Sequence, residues 1–409
     1  MASRSLLAIG GLTLGVGCVA FGAFAARPIA QGTTPKGTPS FSIQSLASPA
    51  PLGSGEPRLT VEGERAFLSW IESSETIDRL KFAERTASGW STPLPIVSGS
   101  NLMVNAADVP SIHLLTNGTL VAQWLQEHGD DPEAYDLRLA RSTNGGRTWT
   151  PSVSPHHDGT ASQHGFASVF AVAGGGFGLI WLDGRSGADM ALRATSYGAD
   201  GKQLAETQID ARVCECCQTA VAVTSEGPIA VFRDRSADEI RDVYASQLVA
   251  AKWSAPVPVH RDGWKIDGCP VNGPAVSASG RDVAVAWFAA PATPGHAFVA
   301  FSQDAGRTFA TPIRVDDAAA IGRVQVSLVS GATAAMVSWI DFTEGRSQFR
   351  VRRIERNGTR GAALTIAEGI GTQYPRMVAR GSELVFAWAE NTRGTTRVST
   401  ARAALPAGK

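Results

Sequence analysis

The chain has 409 residues, and its 37 basic side chains balance 37 acidic ones to a net charge of zero. No basic run concentrates positive charge, which excludes nucleic acid as a partner. A chain of this length can bury a large core, and a single domain is expected to use almost all of it.

At the N-terminus, Arg4 precedes an uncharged stretch from Leu6 to Ala26, closed by Arg27. Ala23-Phe24-Ala25 offers the small-x-small cleavage pattern of a secretory signal, so 1–26 reads as a signal peptide. Two alternatives stand beside it. The stretch is about long enough to span a bilayer as an uncleaved anchor, and Cys18 follows a poor lipobox. Pro, Gly and Thr make 27–40 a flexible linker. Each reading places 41–409 outside the cytoplasm, periplasmic or extracellular, with the inner membrane reached only through an uncleaved N-terminal segment.

From there, seven apolar strands each end on an aromatic followed by a polar loop. The anchors are Trp70, Trp124, Trp181, Phe232, Trp287, Trp339 and Trp388, between 49 and 57 residues apart. Self-similarity at about 40–50 residues, with several short strands per unit, is the signature of a β-propeller. In the second unit the strands read as Ser111–Leu115, Thr119–Trp124, Leu137–Arg141 and Thr148–Val153, with a hairpin turn at Thr116-Asn117-Gly118. After Trp388 there is room for only one more strand, Arg397–Ala401. The missing fourth strand is expected from Phe41–Leu46, which would remove the open edge of the ring. No long amphipathic helical period appears. The expectation is an all-β, seven-bladed propeller over 41–409.

Two turns follow the pattern Ser-x-Asp-x-Gly-x-x-Trp: Ser142 to Trp149, with Asn144 in the Asp place, and Ser302 to Phe309, with Phe replacing Trp. This is the Asp-box of the sialidase-like (BNR-repeat) propellers, which the chain resembles. In that motif the Asx side chain caps its own turn and Gly takes the positive-φ position. The chain is also similar to exported bacterial proteins often labelled exo-α-sialidase, through segments 164–170, 212–220, 233–242, 262–276 and 374–378. The resemblance implies a glycan ligand and, for an enzyme, glycoside hydrolysis. True sialidases hold the substrate carboxylate with three arginines and use a Tyr/Glu nucleophile pair and an Asp acid/base. Here the early Phe-Arg-Ile-Pro segment is missing, and Glu56-Pro57-Arg58-Leu59 stands in about its place. Tyr374 and Arg376 fall roughly where the family keeps its nucleophile.

In a propeller, the segment leading into the innermost strand and the loop between the second and third strands open on one face. The leading segments carry His113, His156-His157-Asp158, His164, Cys214–Cys217, Asp262–Asn272 and Tyr374–Arg376. The second-to-third loops carry Glu127–Asp131, Asp183-Gly184-Arg185, Arg233–Asp242, Asp341 and Glu390. Functional groups belong on loops held by a rigid scaffold, and the axial mouth is the natural pocket.

Within this face, Cys214, Cys216, Cys217 and Cys269 are all the cysteines beyond Cys18. In an oxidising compartment they read as disulfides. Cys214–Cys217 with Cys216–Cys269 avoids very small strained rings. The alternative is a Cu or Zn thiolate site that includes His164, or a redox role. Arg185, Arg233 and Arg235 on adjacent blade ends are candidates to clamp a carboxylate, sulfate or phosphate, against the plain reading of a solvated salt-bridge lattice. Asp183, Asp234 or Asp341 would then serve as acid/base, with Tyr374 also a catalytic candidate. His164, Asn272 and Arg376 are ligand-binding candidates, with Asn272 fixed by flanking prolines. The leading reading is a monomeric, exported propeller without a cofactor that binds, and in an enzyme hydrolyses, a polar or anionic glycan. Metal or redox handling at the cysteines and a non-catalytic envelope scaffold are the alternatives.

Overall fold

A computed structural model describes residues 42–405 except 130, 132, 188, 330, 371, 372 and 393. The expected signal and linker, 1–26 and 27–40, lie outside the described residues. The described residues contain no α-helix, and so no helix long and apolar enough to cross a membrane. The chain forms a seven-bladed β-propeller. The first strands of the blades are Ser54–Glu62, Ser111–Leu114, His164–Val172, Ala220–Thr224, Ala275–Ser279, Ala320–Val329 and Arg376–Arg380; neighbours touch around the axis, with blade 2 meeting His164–Val172 through its third strand Tyr135–Ser142. Successive strands of each blade pair antiparallel outward from them.

Three blades depart from the regular pattern. In blade 4 the fourth strand is split into Lys252–Trp253 and Val257–Pro258, both paired with Val243–Val249. Blade 2 has three full strands, with a bridge between Leu139 and Val153 where the fourth runs. Blade 7 is completed from the other end of the chain. Its outer strand Thr395–Ala404 pairs with Gln44–Leu46, in the register Gln44–Arg402 and Leu46–Thr400. The closing strand is shorter than the expected 41–46, and its partner is longer than the expected 397–401.

The recurring aromatics sit in the second strands and are buried: Trp70, Trp181, Trp287 and Trp339 are fully inaccessible. They fill the space between blades. Trp287 and Trp339, for example, share one core with Val231, Val285 and Val337 across blades 4, 5 and 6. Each such ring removes roughly 150–250 Å² from water, an upper bound of about 4–6 kcal/mol. The indole N–H still needs a partner. Trp70 donates to Glu72 at 3.1 Å, Trp181 to Asp183 at 2.8 Å and Trp388 to Glu390 at 2.6 Å. Residues two apart on a strand share a face, so the carboxylate lies where the indole points. Several acidic groups at strand ends are thereby committed to the scaffold.

Candidate functional site

The chemistry collects where the first strands begin. Three of these strands carry a β-bulge close to their start: register slips between Gly55 and Arg58, opposite Ile180 and Leu182, and between Gly322 and Gln325. At each bulge a non-glycine residue adopts positive φ: Glu56 (51°), Phe166 (52°) and Arg323 (57°). Val271, in the segment leading to blade 5, has φ 48° despite its branched side chain. Such conformations cost about 1–3 kcal/mol each and cluster at ligand sites, and bulges there re-aim side chains.

Arg58 and Arg323 stand at such bulges, and Arg376, Tyr374 and Asp108 join them from neighbouring segments. The Tyr374 ring lies 4.1 Å from the Arg323 guanidinium carbon and 5.9 Å from that of Arg376. Arg58 is close enough to oppose the charge on both Arg376 and His113. Burial, then Arg58, pulls the pKa of Arg376 far below its ordinary value; burial, then Arg58, takes His113 down to about 3. Arg376 is 1 % exposed and donates from Nη1 to Gln218 Oε1 at 3.2 Å. Among the described residues its Nε and Nη2 find no hydrogen-bond partner. Two orphaned N–H groups on a buried guanidinium are costly, and they form the fork that a carboxylate fits. Arg58, Arg323 and Tyr374 are half-buried, so the cluster opens to solvent.

Asp108 sits beside them, 3 % exposed, accepting the backbone N–H of Phe166 at Oδ2. Burial raises its pKa to about 7 against the opposing pull of that N–H, Arg58 and Arg376. A Cβ on Gly165 would stand 2.2 Å from Asp108 Oδ2, so only glycine leaves the carboxyl its place. Burial and then Asp78 likewise raise Glu56 to about 7. Gln218 reaches across from blade 4, its amide donating to Ala107 O at 2.5 Å. Asn272 holds Arg323 in place: its Oδ1 accepts the Arg323 N–H at 2.9 Å, and its amide donates to Ile321 O at 3.1 Å. Tyr374 donates to Val271 O at 3.0 Å, and burial pushes its pKa up to about 12.

Of the expected candidates, Tyr374, Arg376 and Asn272 meet in this cluster. The expected clamp of Arg185, Arg233 and Arg235 is not assembled. Arg233 is 1 % exposed and spends Nε, Nη1 and Nη2 on the carbonyls of Asn272, Arg241 and Phe288, with its guanidinium carbon 4.8 Å from the Trp264 ring. It ties blades 4 and 5 together. Arg235 pairs with Glu239 at 2.8 Å, Glu215 at 3.3 Å and Asp189 at 3.4 Å, inside the salt-bridge lattice that was the plainer reading. Arg185 pairs with Asp183 at 2.6 Å and Glu206 at 2.9 Å.

Asp183, Asp234 and Asp341 stand in separate hydrogen-bond sets. Burial raises the pKa of Asp183, but Arg185 and Trp181 more than reverse the effect and hold it below its ordinary value, the wrong direction for an acid. Asp341 is fully buried and faces Arg350 at 3.4 Å. Asp234 is raised to about 6 by burial and then by Asp210, at the edge of blade 4. His164 is fully buried, stacked on His156 with ring centroids 3.7 Å apart, and lies 3.2 Å from Asp158.

Among the described residues, potential metal ligands converge at Cys214, Cys216 and Cys217, at Asp136, His156 and His164, and at Asp158, His164 and Asp183. In the second set the imidazole planes are parallel to within 1°, so their lone pairs do not meet at one point, and in the third Arg185 already neutralises Asp158 and Asp183. In the first set Cys216 is bonded to Cys269, while Cys214 and Cys217 are buried thiols with Sγ atoms 2.8 Å apart. The expected Cys214–Cys217 bond is thus not formed in this structure. A cleft of about 280 Å³ between the loops of blades 2, 3 and 4 is lined by Asp131, Glu133, Asp189 and Glu215 against the single cation Arg235, a balance that repels anions.

Arg58, Asp108, Arg323 and Gln218 were not singled out as site residues from sequence. The available signal was Gly322-Arg323 inside an apolar strand pattern, which marks a bulge.

No family model matches the sequence, and no curated protein matches it. Among solved structures, the polysaccharide lyase Uly1 superposes with a TM-score of 0.54 at 11 % identity, covering 86 % of this chain and 90 % of that one. An α-L-arabinanase of Penicillium chrysogenum in complex with arabinobiose gives 0.48 at 12 %, covering 89 % and 98 %. A mutant NanB sialidase of Streptococcus pneumoniae gives 0.46 at 10 %, covering 84 % of each chain. At these identities the likeness is one of fold.

Proposed function

We propose that this protein is an exported propeller that binds the carboxylate of an anionic glycan, a uronate or sialate residue, at the axial mouth. The observation that carries the reading is Arg376, buried with two N–H groups unpartnered among the described residues and with Arg58 and Arg323 beside it. Among the described residues Asp108 is the carboxyl that acts on Arg58 and Arg376, which leaves a positive surplus in a low-dielectric site, where a carboxylate gains most. Tyr374 would offer its ring edge to the sugar. The Cys216–Cys269 bridge suits an oxidising, extracytoplasmic compartment.

The geometry favours binding over hydrolysis. A nucleophilic tyrosine needs a base beside its hydroxyl, whereas Tyr374 donates to a carbonyl and is held neutral. Asp108, with its pKa near neutrality, is the acid/base candidate for the hydrolytic alternative.

Calorimetric titration with N-acetylneuraminic acid and with a glucuronate oligosaccharide, beside a neutral oligosaccharide, tests the reading. At least one acidic sugar is expected to bind where the neutral one does not. Arg376→Met should weaken that binding by about 2–5 kcal/mol, at least about thirtyfold in Kd, with the melting curve retained as a control on folding. Equal affinity in Arg376→Met, or no preference for acidic sugars, would remove the proposal.

A further inference from the structure

The four cysteines at the leading segments of blades 4 and 5 are arranged for more than a staple. Cys269 is exposed, Cys216 is half-buried, and their bridge therefore has a solvent side. Behind it, Cys214 and Cys217 are 1 % and 2 % exposed. The Cys214 sulfur lies 2.8 Å from that of Cys217 and 3.9 Å from that of Cys216. A buried dithiol thus stands in contact with the inner sulfur of an accessible disulfide.

The surroundings favour a thiolate at the junction. Arg241, itself 2 % exposed, directs Nη1 to Cys214 Sγ at 3.4 Å, and Arg233 is close by. The Cys217 contact, with these two cations behind it, outweighs burial and takes Cys214 down to about 6, while burial and Cys214 itself push Cys217 well up. One sulfur is a ready nucleophile and its neighbour a protonated reserve.

We propose that Cys214, Cys217, Cys216 and Cys269 form a thiol–disulfide relay that carries two oxidising equivalents between the surface and the buried pair. In the first step the Cys214 thiolate attacks Cys216 Sγ. The Cys216–Cys269 bond breaks, and its electron pair leaves on Cys269, which takes a proton from solvent. In the second step Cys217 gives up its proton and attacks Cys214 Sγ, releasing Cys216 as the thiolate. One disulfide and two thiols stand on each side, so the transfer consumes no outside oxidant. The Cys216/Cys269 dithiol now at the surface then reduces a disulfide of an external small molecule or protein. The Cys216–Cys269 bridge re-forms, both pairs are oxidised, and the external disulfide becomes two thiols. Cys217 borders the arginine cluster through Arg323 and Tyr374, but the exchange is read from thiol labelling without any sugar, so its failure and that of glycan binding are told apart.

The test uses the whole folded chain. It is oxidised with glutathione disulfide, freed of small molecules, and given one equivalent of dithiothreitol so that each chain carries two thiols. After ageing, N-ethylmaleimide labelling and peptide mass mapping locate them. The relay expects two populations, labelled at Cys214/Cys217 and at Cys216/Cys269, that interconvert within minutes to hours. In Cys214→Ser no buried disulfide can form, so the same treatment is expected to leave Cys217 a thiol throughout and to show no second population. Label confined to Cys214 and Cys217 in the wild-type chain, however long it is aged, would overturn the relay and reduce Cys216–Cys269 to a staple. That decision rests on the wild-type map alone, so poor folding of the variant would not obscure it.

Discussion

Asp108 decides how the arginine cluster responds to pH. Its folded pKa of about 7 lies above the ordinary carboxylate value of 3.8 because it is buried. Between those values the folded chain holds a proton that the unfolded chain has lost, so Asp108 makes stability fall as pH rises across that window. Above about pH 7 the carboxylate forms and competes with a ligand anion for Arg58 and Arg376. Anion affinity is therefore expected to decline from pH 6 to pH 8, and Asp108→Asn should flatten the decline. Paired titrations at the two pH values check this, and an equally steep decline in the variant would place the titration elsewhere. Arg233 makes the opposite point about charged residues. Its three nitrogens are occupied by carbonyls, so Arg233→Met leaves three buried acceptors unpaired. The expected result is a loss of about 3–5 kcal/mol in denaturant unfolding.

At the scale of strands and loops, the site depends on bulges. A regular first strand would alternate its side chains between faces; the slips at Glu56 and Arg323 break that alternation just where Arg58 and Arg323 are needed, and the slip at Phe166 turns its N–H to Asp108. This is why Arg323 was not legible and Arg58 was legible only through the place of the segment Glu56-Pro57-Arg58-Leu59. Period-two alternation reveals a strand but not a one-residue slip within it, and nothing local tells Arg323 from an edge residue. Tyr374, Arg376 and Asn272 were legible because they sit in the segments leading into strands, where the face follows from topology alone. The charged run from Arg233 to Asp242 was legible as charge but not as structure: Arg233 is core and Arg235 lattice, and the difference depends on contacts from blade 5 and the blade 3–4 loops. Asn272 offers the sharpest test at this scale. Asn272→Ala removes the acceptor for the Arg323 N–H, and Arg323 already has positive φ. A loss of about 1–3 kcal/mol in stability is expected, accompanied by weaker anion binding, from chemical denaturation and calorimetry on the same sample. Unchanged binding at reduced stability would separate the loop from the site.

For the molecule as a whole, the spacing of the aromatic anchors announced seven blades because each ring must fill one blade-to-blade interface, and seven interfaces close the circle. Closure between the two ends of the chain was legible for a related reason: a blade one strand short has an edge that must be covered. Gln44–Leu46 covers it, with Thr400 Oγ1 donating to Leu46 O at 3.1 Å and Arg402 Nε donating to Gln44 at 3.0 Å. Deleting 42–46 should cost about 2–3 kcal/mol in thermal or denaturant unfolding and leave Thr395–Ala404 as an open edge prone to self-association, visible by size-exclusion chromatography. A monomer of unchanged stability would show that the strand is dispensable. The most direct measurement is a crystal structure of the protein soaked with an acidic sugar, N-acetylneuraminic acid or glucuronate. The expected density places the sugar carboxylate on Nε and Nη2 of Arg376, within hydrogen-bond reach of Arg58 and Arg323. A sugar bound away from these three arginines, or an axial mouth unchanged at saturating ligand, would contradict the proposed function.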